Sequence, residues 1–286
     1  MRLAYFPGCA AVGTGRELNS SVSAACAAYG IELVDIPGWV CCGASAAHMT
    51  SAALARSLPA VSLGKARQLG ADGLLTACAA CYNRLKLAEL EIRDNPRVRA
   101  ECEEATRAKL DGELAIYHAV EVFDPARLGA LLATPTSVAP RLKGLKVACY
   151  YGCLLTRPKT VSVDPDPVNP SLMDDLVRAC GLDTVDWPFK TECCGASMVL
   201  PRPESVSRLT GRLLDAAAAC GAEAVVVACP LCHANLDLKQ PTARRASANP
   251  VPIPVLYLTE VLALALGVPG SKLDLRRHTV PVPALV

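Results

Sequence analysis

Ten of the 15 cysteines fall into two sets of five at matching intervals. The first set is Cys9, the adjacent pair Cys41 and Cys42, and Cys78-Ala-Ala-Cys81; the second is Cys153, Cys193 and Cys194, and Cys229-Pro-Leu-Cys232. Each pair opens the same Cys-Cys-Gly-Ala-Ser stretch, and each lone cysteine follows a glycine, Gly8 or Gly152. Corresponding cysteines lie 144, 152, 152, 151 and 151 residues apart, the mark of a duplicated domain. Thiolates are soft ligands, so the chemistry open to such sets is metal binding or redox exchange. Structural zinc takes four ligands, usually from two Cys-x-x-Cys knuckles, and each half has one knuckle plus three further cysteines. A cubane iron–sulfur cluster also takes four thiolates. An adjacent pair is a poor chelate for one tetrahedral ion but reaches two metals readily. Five thiolates therefore favour a multi-iron group, with Gly8, Gly43, Gly152 and Gly195 leaving room for sulfides against the backbone. Zinc and metal-free dithiols remain open on these residues alone.

The other five cysteines, Cys26, Cys102, Cys149, Cys180 and Cys220, fall in helix-like or strand-like stretches and are expected to be buried and apolar. An odd cysteine count argues against a disulfide framework, and the start Met1-Arg2-Leu-Ala-Tyr-Phe is read as lacking a signal peptide, which together imply a cytoplasmic setting. The chain has 286 residues, 52% hydrophobic and 20% charged, enough for two packed domains. A net charge of +2 gives no reason to expect nucleic acid or an anionic membrane as partner. The longest apolar run, residues 255–268, is too short to span a bilayer and is read as one helix.

What must position the cysteines is a set of strands alternating with helices. Strands are expected at residues 2–6, 32–36 and 73–76, and helices at 14–29, 52–69 (with Pro59 kinking or dividing it), 83–93 and 95–110. A last strand and helix start fall at 115–123. The proline-dotted stretch 125–140 reads as a linker. The second half repeats the order: a strand ending at Gly152-Cys153, an extended loop over 157–170, helices at 171–180 and 204–220, and a strand at 223–228. His118 and Glu121 line up with Tyr257 and Glu260 at an offset of 139. The tail after Gly267 has no counterpart and reads as partner-binding or loose. Strand, turn with cysteine, helix is the βαβ signature of a parallel sheet, whose ligand crevice lies at the carboxyl ends of its strands. That fold gathers each five at one sheet edge. The expected class is α/β, with domains at 1–140 and 141–286, each a small parallel sheet flanked by helices.

The pattern Cys-x(31–39)-Cys-Cys-x(34–36)-Cys-x-x-Cys, present twice, resembles the HdrB component of heterodisulfide reductase and its relatives, the cysteine-rich CCG-domain proteins. The likeness covers about residues 1 to 262. It implies one noncubane [4Fe-4S] cluster in each half, held by Cys9, Cys41, Cys42, Cys78 and Cys81, and by Cys153, Cys193, Cys194, Cys229 and Cys232. It also implies a catalytic subunit that reduces a disulfide, or oxidises a thiol, between the two clusters. Breaking an S–S bond takes two electrons and a cluster usually delivers one, so two equivalent sites suit that reaction. Methanogen members commonly carry a His directly after the second Gly-Cys; Leu154 stands there, which points instead to bacterial relatives. The resemblance further implies a ferredoxin-like protein (HdrC-type) and a flavoprotein (HdrA-type) as partners in the complex. No flavin or nucleotide motif is present, since Gly13-Thr-Gly15 lacks the strand context and third glycine of a dinucleotide fingerprint. The alternative is an electron-transferring subunit of a quinone-linked or other dehydrogenase complex. His48 and His233 are candidate proton carriers, and Lys86, Lys239 and Arg157, with Arg84 and Lys159, candidate anchors for an anionic substrate; for each, an ordinary structural or surface role is the competing reading.

Overall fold

The computed structural model describes residues 1–133, 142–243 and 252–282. It contains two four-stranded, all-parallel sheets with matching strand order, β2-β1-β3-β4 and β6-β5-β7-β8. The first comprises β1 (Arg2–Tyr5), β2 (Glu32–Asp35), β3 (Gly73–Thr76) and β4 (Ile116–His118); the second, β5 (Lys146–Tyr150), β6 (Asp183–Thr184), β7 (Ala224–Val227) and β8 (Val255–Tyr257). Central strands β3 and β7 are buried along their whole length, as helices on both faces require. Their sequences, Gly-Leu-Leu-Thr and Ala-Val-Val-Val, carry no polar alternation for that reason.

Helices α1 (Gly8–Val12), α2 (Arg16–Tyr29), α3 (Ala47–Thr50), α4 (Ala52–Gln68), α5 (Ala79–Asp94), α6 (Pro96–Thr106) and α7 (Pro125–Leu132) belong to the first half. The second half has α8 (Leu172–Ala179), α9 (Pro203–Ala219), α10 (Pro230–Leu236), α11 (Gln240–Ala243) and α12 (Leu258–Ala265). Pro59 sits inside α4 without dividing it. Helix α5 starts four residues before the expected point, because the Cys-x-x-Cys spacing is itself a helical turn.

Three expectations are corrected. Residues 125–132 are helix α7 and not linker: Asp124 caps it by accepting from Arg127 N at 2.6 Å, with Pro125 in the first turn. The rest of that stretch, 134–140, lies outside the described residues. The apolar run 255–268 is not one helix but a strand followed by a helix, and Glu260 accepts from Tyr257 N at 2.9 Å where the two meet. Glu121 makes the matching bond from His118 N at 2.7 Å, the structural reason for the aligned pairs. The tail is not loose through Val282: Ser20 Oγ donates to Asp274 at 2.6 Å, and Arg277 pairs with Glu17 at 3.1 Å.

The halves pack by exchanging helices about a pseudo-two-fold axis. Helix α2 of the first half lies on α12 of the second, and α7 of the first on α8 of the second. Ser21 and Thr259 hydroxyls meet at 2.7 Å between α2 and α12. Asn83, fully buried on α5, donates Nδ2 to Leu154 O at 3.1 Å and Arg157 O at 2.8 Å across the seam. Replacing it with leucine strips two carbonyls of their donor. Asn83→Leu is expected to cost roughly 2–3 kcal/mol, the price of groups left unpaired in a buried seam, read as a lower urea midpoint at unchanged slope.

Candidate metal centre

Every cysteine of the two sets lies just past a strand end. Cys9 opens α1 after β1, Cys41 and Cys42 follow β2, Cys78 caps α5, and Cys81 sits in its first turn. In the second half Cys153 follows β5, Cys193 and Cys194 follow β6, Cys229 caps α10 and Cys232 lies in its first turn. Parallel pairing puts these ends on one side of each sheet. Cys42 Sγ lies 3.3 Å from Cys81 Sγ, and Cys194 Sγ lies 3.5 Å from Cys232 Sγ.

The thiols form connected networks. Cys42 meets Cys41 and Cys81, Cys81 meets Cys78, and Cys9 is near enough to Cys41 to raise it electrostatically. In the second half Cys153 meets Cys193, while Cys232 meets Cys194 and Cys229. Cys78 and Cys229 face each other across the seam closely enough that each shifts the other's ionisation, Cys78 up and Cys229 down. Hydrogen bonds from Cys41 and Cys81 hold Cys42 low, at about 3, and the bond from Cys153 holds Cys193 at about 6. Cys229 is lowered by bonds from Cys232 and Cys78. The donors are correspondingly raised: Cys41 through its bond to Cys42, Cys78 through Cys229, and Cys153 through Cys193. A thiolate flanked by neighbouring thiols is the form that binds metal.

Backbone and side chains around the sulfurs fit a bulky group. Gly8 and Gly152 adopt left-handed φ of 76° and 68° just before the lone cysteines. A Cβ on Gly8 would stand 2.9 Å from Cys81 Sγ, and one on Gly152 would stand 3.3 Å from Cys232 Sγ. Gly8→Ala is expected to cost roughly 1–2 kcal/mol from the left-handed backbone alone and to displace Cys81. The expected readout is lost metal in the first half, with metal content in the second unchanged. Tyr150 donates its hydroxyl to Glu192 O at 2.6 Å, Lys190 O accepts from Tyr151 N and Gly152 N at 2.9 and 3.0 Å, and Asn235 donates to Cys194 O at 2.9 Å. Sequence reasoning passed over these three residues. The available signal was a buried amide soon after each Cys-x-x-Cys: Asn83 and Asn235.

Of the proposed cations, Arg157 is the one whose charge acts on a cysteine of the two sets. It donates to Thr191 O at 3.3 Å and its charge lowers Cys193. Lys86 turns back to Ile116 O at 3.2 Å, and Arg84 to Asn83 at 3.1 Å. Lys159 lies in a short 3-10 turn, 159–161, and Lys239 is half-buried just after α10. His48 is exposed on α3. His233, next to Cys232, points away from it: its ring stacks on Tyr257 and its Nε2 faces Val255 O at 3.1 Å. Among the remaining cysteines, Cys26, Cys102, Cys149 and Cys180 are buried as expected, but Cys220 is exposed, because it caps the outer end of α9. Met49 and Leu200, six or more residues past each Cys-Cys pair, are 78% and 91% exposed.

Two sheets of this order with cysteines gathered at the strand ends define a duplicated cysteine-rich α/β protein. Residues 3–86 and 147–237 match the CCG cysteine-rich domain, and the chain belongs to that family. Over 99% of its length it is 30% identical to the 8-methylmenaquinol:fumarate reductase membrane anchor subunit of Wolinella succinogenes, covering 98% of that protein. It is 28% identical to the HdrB component of the ferredoxin:CoB–CoM heterodisulfide reductase of Methanosarcina mazei, covering 98% of this chain and 94% of the other. An HdrB-like heterodisulfide reductase protein of Archaeoglobus profundus is 28% identical over 95% of this chain and 93% of its own. A solved hypothetical protein from Helicobacter pylori shares the fold, with a TM-score of 0.74 at 14% identity over 98% of this chain; the chain spans about half, 52%, of that one. Among the described residues no helix is long and apolar enough to cross a membrane.

Proposed function

We propose that the chain is an iron–sulfur redox subunit of a larger oxidoreductase complex, acting on a disulfide or thiol. Cys9, Cys41, Cys42, Cys78 and Cys81 would hold one iron–sulfur group, and Cys153, Cys193, Cys194, Cys229 and Cys232 the other. Five thiol donors per half, with Cys42, Cys193 and Cys229 held low by their neighbours, match a noncubane [4Fe-4S] group better than a single zinc ion, which leaves a ligand over. Such groups supply one-electron steps and a Lewis-acidic iron for sulfur.

The observation that carries this reading is the matching convergence of five cysteines at the strand ends of each sheet, with Cys42 Sγ 3.3 Å from Cys81 Sγ and Cys194 Sγ 3.5 Å from Cys232 Sγ. Two equivalent sites suit a two-electron sulfur reaction, and the mutual shift of Cys78 and Cys229 supports their being neighbours. Cys9, Cys41 and Cys193 are exposed and Cys153 half-exposed, so the outer rim is where a substrate or partner meets the site. Arg157 beside Cys193 favours an anionic sulfur compound there. Electrons would pass to or from partner proteins, with ferredoxin-like (HdrC-type) and flavoprotein (HdrA-type) components the expected ones, and a cytoplasmic setting fits them.

A second reading is favoured by a separate observation. Cys78 and Cys229, on either side of the seam, are only 4% and 3% exposed, so the seam is closed to solvent there. A closed seam, with a fumarate reductase component among the relatives, suits an electron-transferring subunit of a quinone-linked complex. Anaerobic purification with iron, acid-labile sulfide and EPR measurements separates the two. A new paramagnetic signal on adding a thiol or disulfide supports the first. An EPR response only to a partner redox protein supports the second, and absence of sulfide rejects both.

A further inference from the structure

In the interior of the second half, beginning one residue past Cys232, four groups converge. His233 and Asp237 sit one turn apart on and just after α10, His278 comes from the C-terminal tail, and the Val255 carbonyl from β8. The three side chains are buried, and one ligand atom from each lies within 4.8 Å of the others. His233 Nε2 and His278 Nδ1 are 3.3 Å apart, and lie 3.1 and 2.9 Å from Val255 O. Ligands bonded tetrahedrally to zinc at about 2.0–2.1 Å are separated by about 3.3 Å. We propose that His233, Asp237, His278 and the Val255 carbonyl bind a divalent cation of the zinc type, which staples the C-terminal tail to the helix bearing Cys232.

The proton count is compatible with the site. If both facing nitrogens donate to Val255 O, His278 Nε2 is an acceptor, yet it lies 2.8 Å from Glu260 Oε1, another acceptor. A metal-free network makes that contact with a second proton on His278, as an ion pair with Glu260. With a cation on Nδ1, His278 Nε2–H donates to the Glu260 carboxylate, the usual arrangement for a metal-bound imidazole. Counting charge gives the same answer. Asp237 and Glu260 are both fully buried, and among the described residues neither is hydrogen bonded to a lysine or arginine. Glu260 has the His278 imidazole as its partner at 2.8 Å, whereas Asp237 has only backbone N–H partners, and a divalent cation would neutralise it. Asp237 is also held in place by Thr279 N at 2.7 Å and Val280 N at 3.1 Å. A surface cavity of about 590 Å³, lined by Asp274, Leu275, Arg277, His278 and Val282, opens beside His278 and offers an entry path.

Imidazole, carboxylate and carbonyl donors with no thiolate distinguish this site from the cysteine sets, and the inference does not rest on their iron–sulfur reading. The test uses the full chain, purified anaerobically and dialysed against micromolar Zn²⁺, with zinc and iron quantified and zinc K-edge absorption recorded. The expected result is one zinc per chain with a shell of nitrogen and oxygen only. Asp237→Asn and His278→Ala should lose that zinc with iron unchanged, while Glu260→Gln keeps it with affinity lowered about 10–100-fold. A sulfur shell would place the zinc among the cysteines and overturn the proposal. So would a wild-type chain that takes up no zinc, or a His278→Ala chain that retains it. Should a variant fail to fold, the wild-type absorption shell alone decides.

Discussion

Replacing Cys193 and Cys194 together by alanine is expected to halve iron and acid-labile sulfide and to abolish disulfide turnover. The pair enters the second site from β6, a strand of only two residues, so nothing else on that strand can substitute. Cys194 is buried against Cys232, and Cys193 accepts from Gly195 N at 3.3 Å, so both sulfurs are held in place by contacts the alanines cannot make. The first site draws its thiols from β1, β2 and β3 and should keep its iron. Because metal affinity in such sites is also folding energy, the variant should melt earlier as well. Cys220→Ser, at an exposed cysteine outside both sets, is the matched control and should change none of these readouts. Turnover that survives the double replacement would show that one site suffices. Unchanged iron would remove the pair from the ligand set.

The parts of this molecule that were legible in the sequence are those in which local pattern and tertiary role coincide. Val225-Val226-Val227 can bury itself only as a central parallel strand, and Gly30 ends α2 in the left-handed conformation that a glycine makes cheap. Intervals between cysteines equal to one strand and one helix then fix which sheet edge they share. Strand β6 escaped notice because Asp183 and Thr184 have no strand character of their own; pairing with Lys146 and Val147 of β5 makes them a strand. Helix α7 hid behind its prolines, although Asp124-Pro125 is an N-cap followed by a first-turn proline. An apolar run carries no periodicity to divide it, so β8 and α12 merged into one helix. Contacts of the tail, such as Arg277 with Glu17, join residues 260 positions apart and leave no trace in local composition.

The pseudo-symmetry has a physical consequence at the seam. Exchange of α2 onto α12 and of α7 onto α8 makes each half a part of the other's core, so the two sites are fixed relative to one another by packed helices and not by a flexible joint. Cys78 and Cys229 then keep their facing positions across the seam without a covalent link. The helix start that carries Cys229 adds partial positive charge beside its thiolate, which lowers the cost of keeping it deprotonated. The same rigidity accounts for the polar groups that cross the seam, Asn83 above all, being buried and fully partnered.

Lys190→Met is expected to destabilise the second half by about 3–5 kcal/mol, the usual cost of leaving a buried partner charge alone. Lys190 Nζ donates to Asp174 Oδ1 at 3.0 Å in a pair that is 10% and 1% exposed, and Tyr151 donates to Asp174 Oδ2 at 2.8 Å. The backbone of Lys190 holds Tyr151 and Gly152, the turn that delivers Cys153, so iron in the second site should fall together with stability. Burial raises the Asp174 carboxyl above its ordinary value in spite of both hydrogen bonds. A carboxyl raised in the folded state binds an extra proton there, so its contribution to stability falls as pH rises through the window between the unfolded and folded values. Loss of the ammonium raises the folded value further. The deficit of Lys190→Met against wild type should therefore be full at neutral pH and shrink towards pH 5. Adding Asp174→Asn, which still accepts from Tyr151 and carries no charge, should recover most of the loss. Urea unfolding of wild type, single and double variants at both pH values checks this; a double variant as unstable as the single, or a deficit that does not vary with pH, would show that the charge is not the cause.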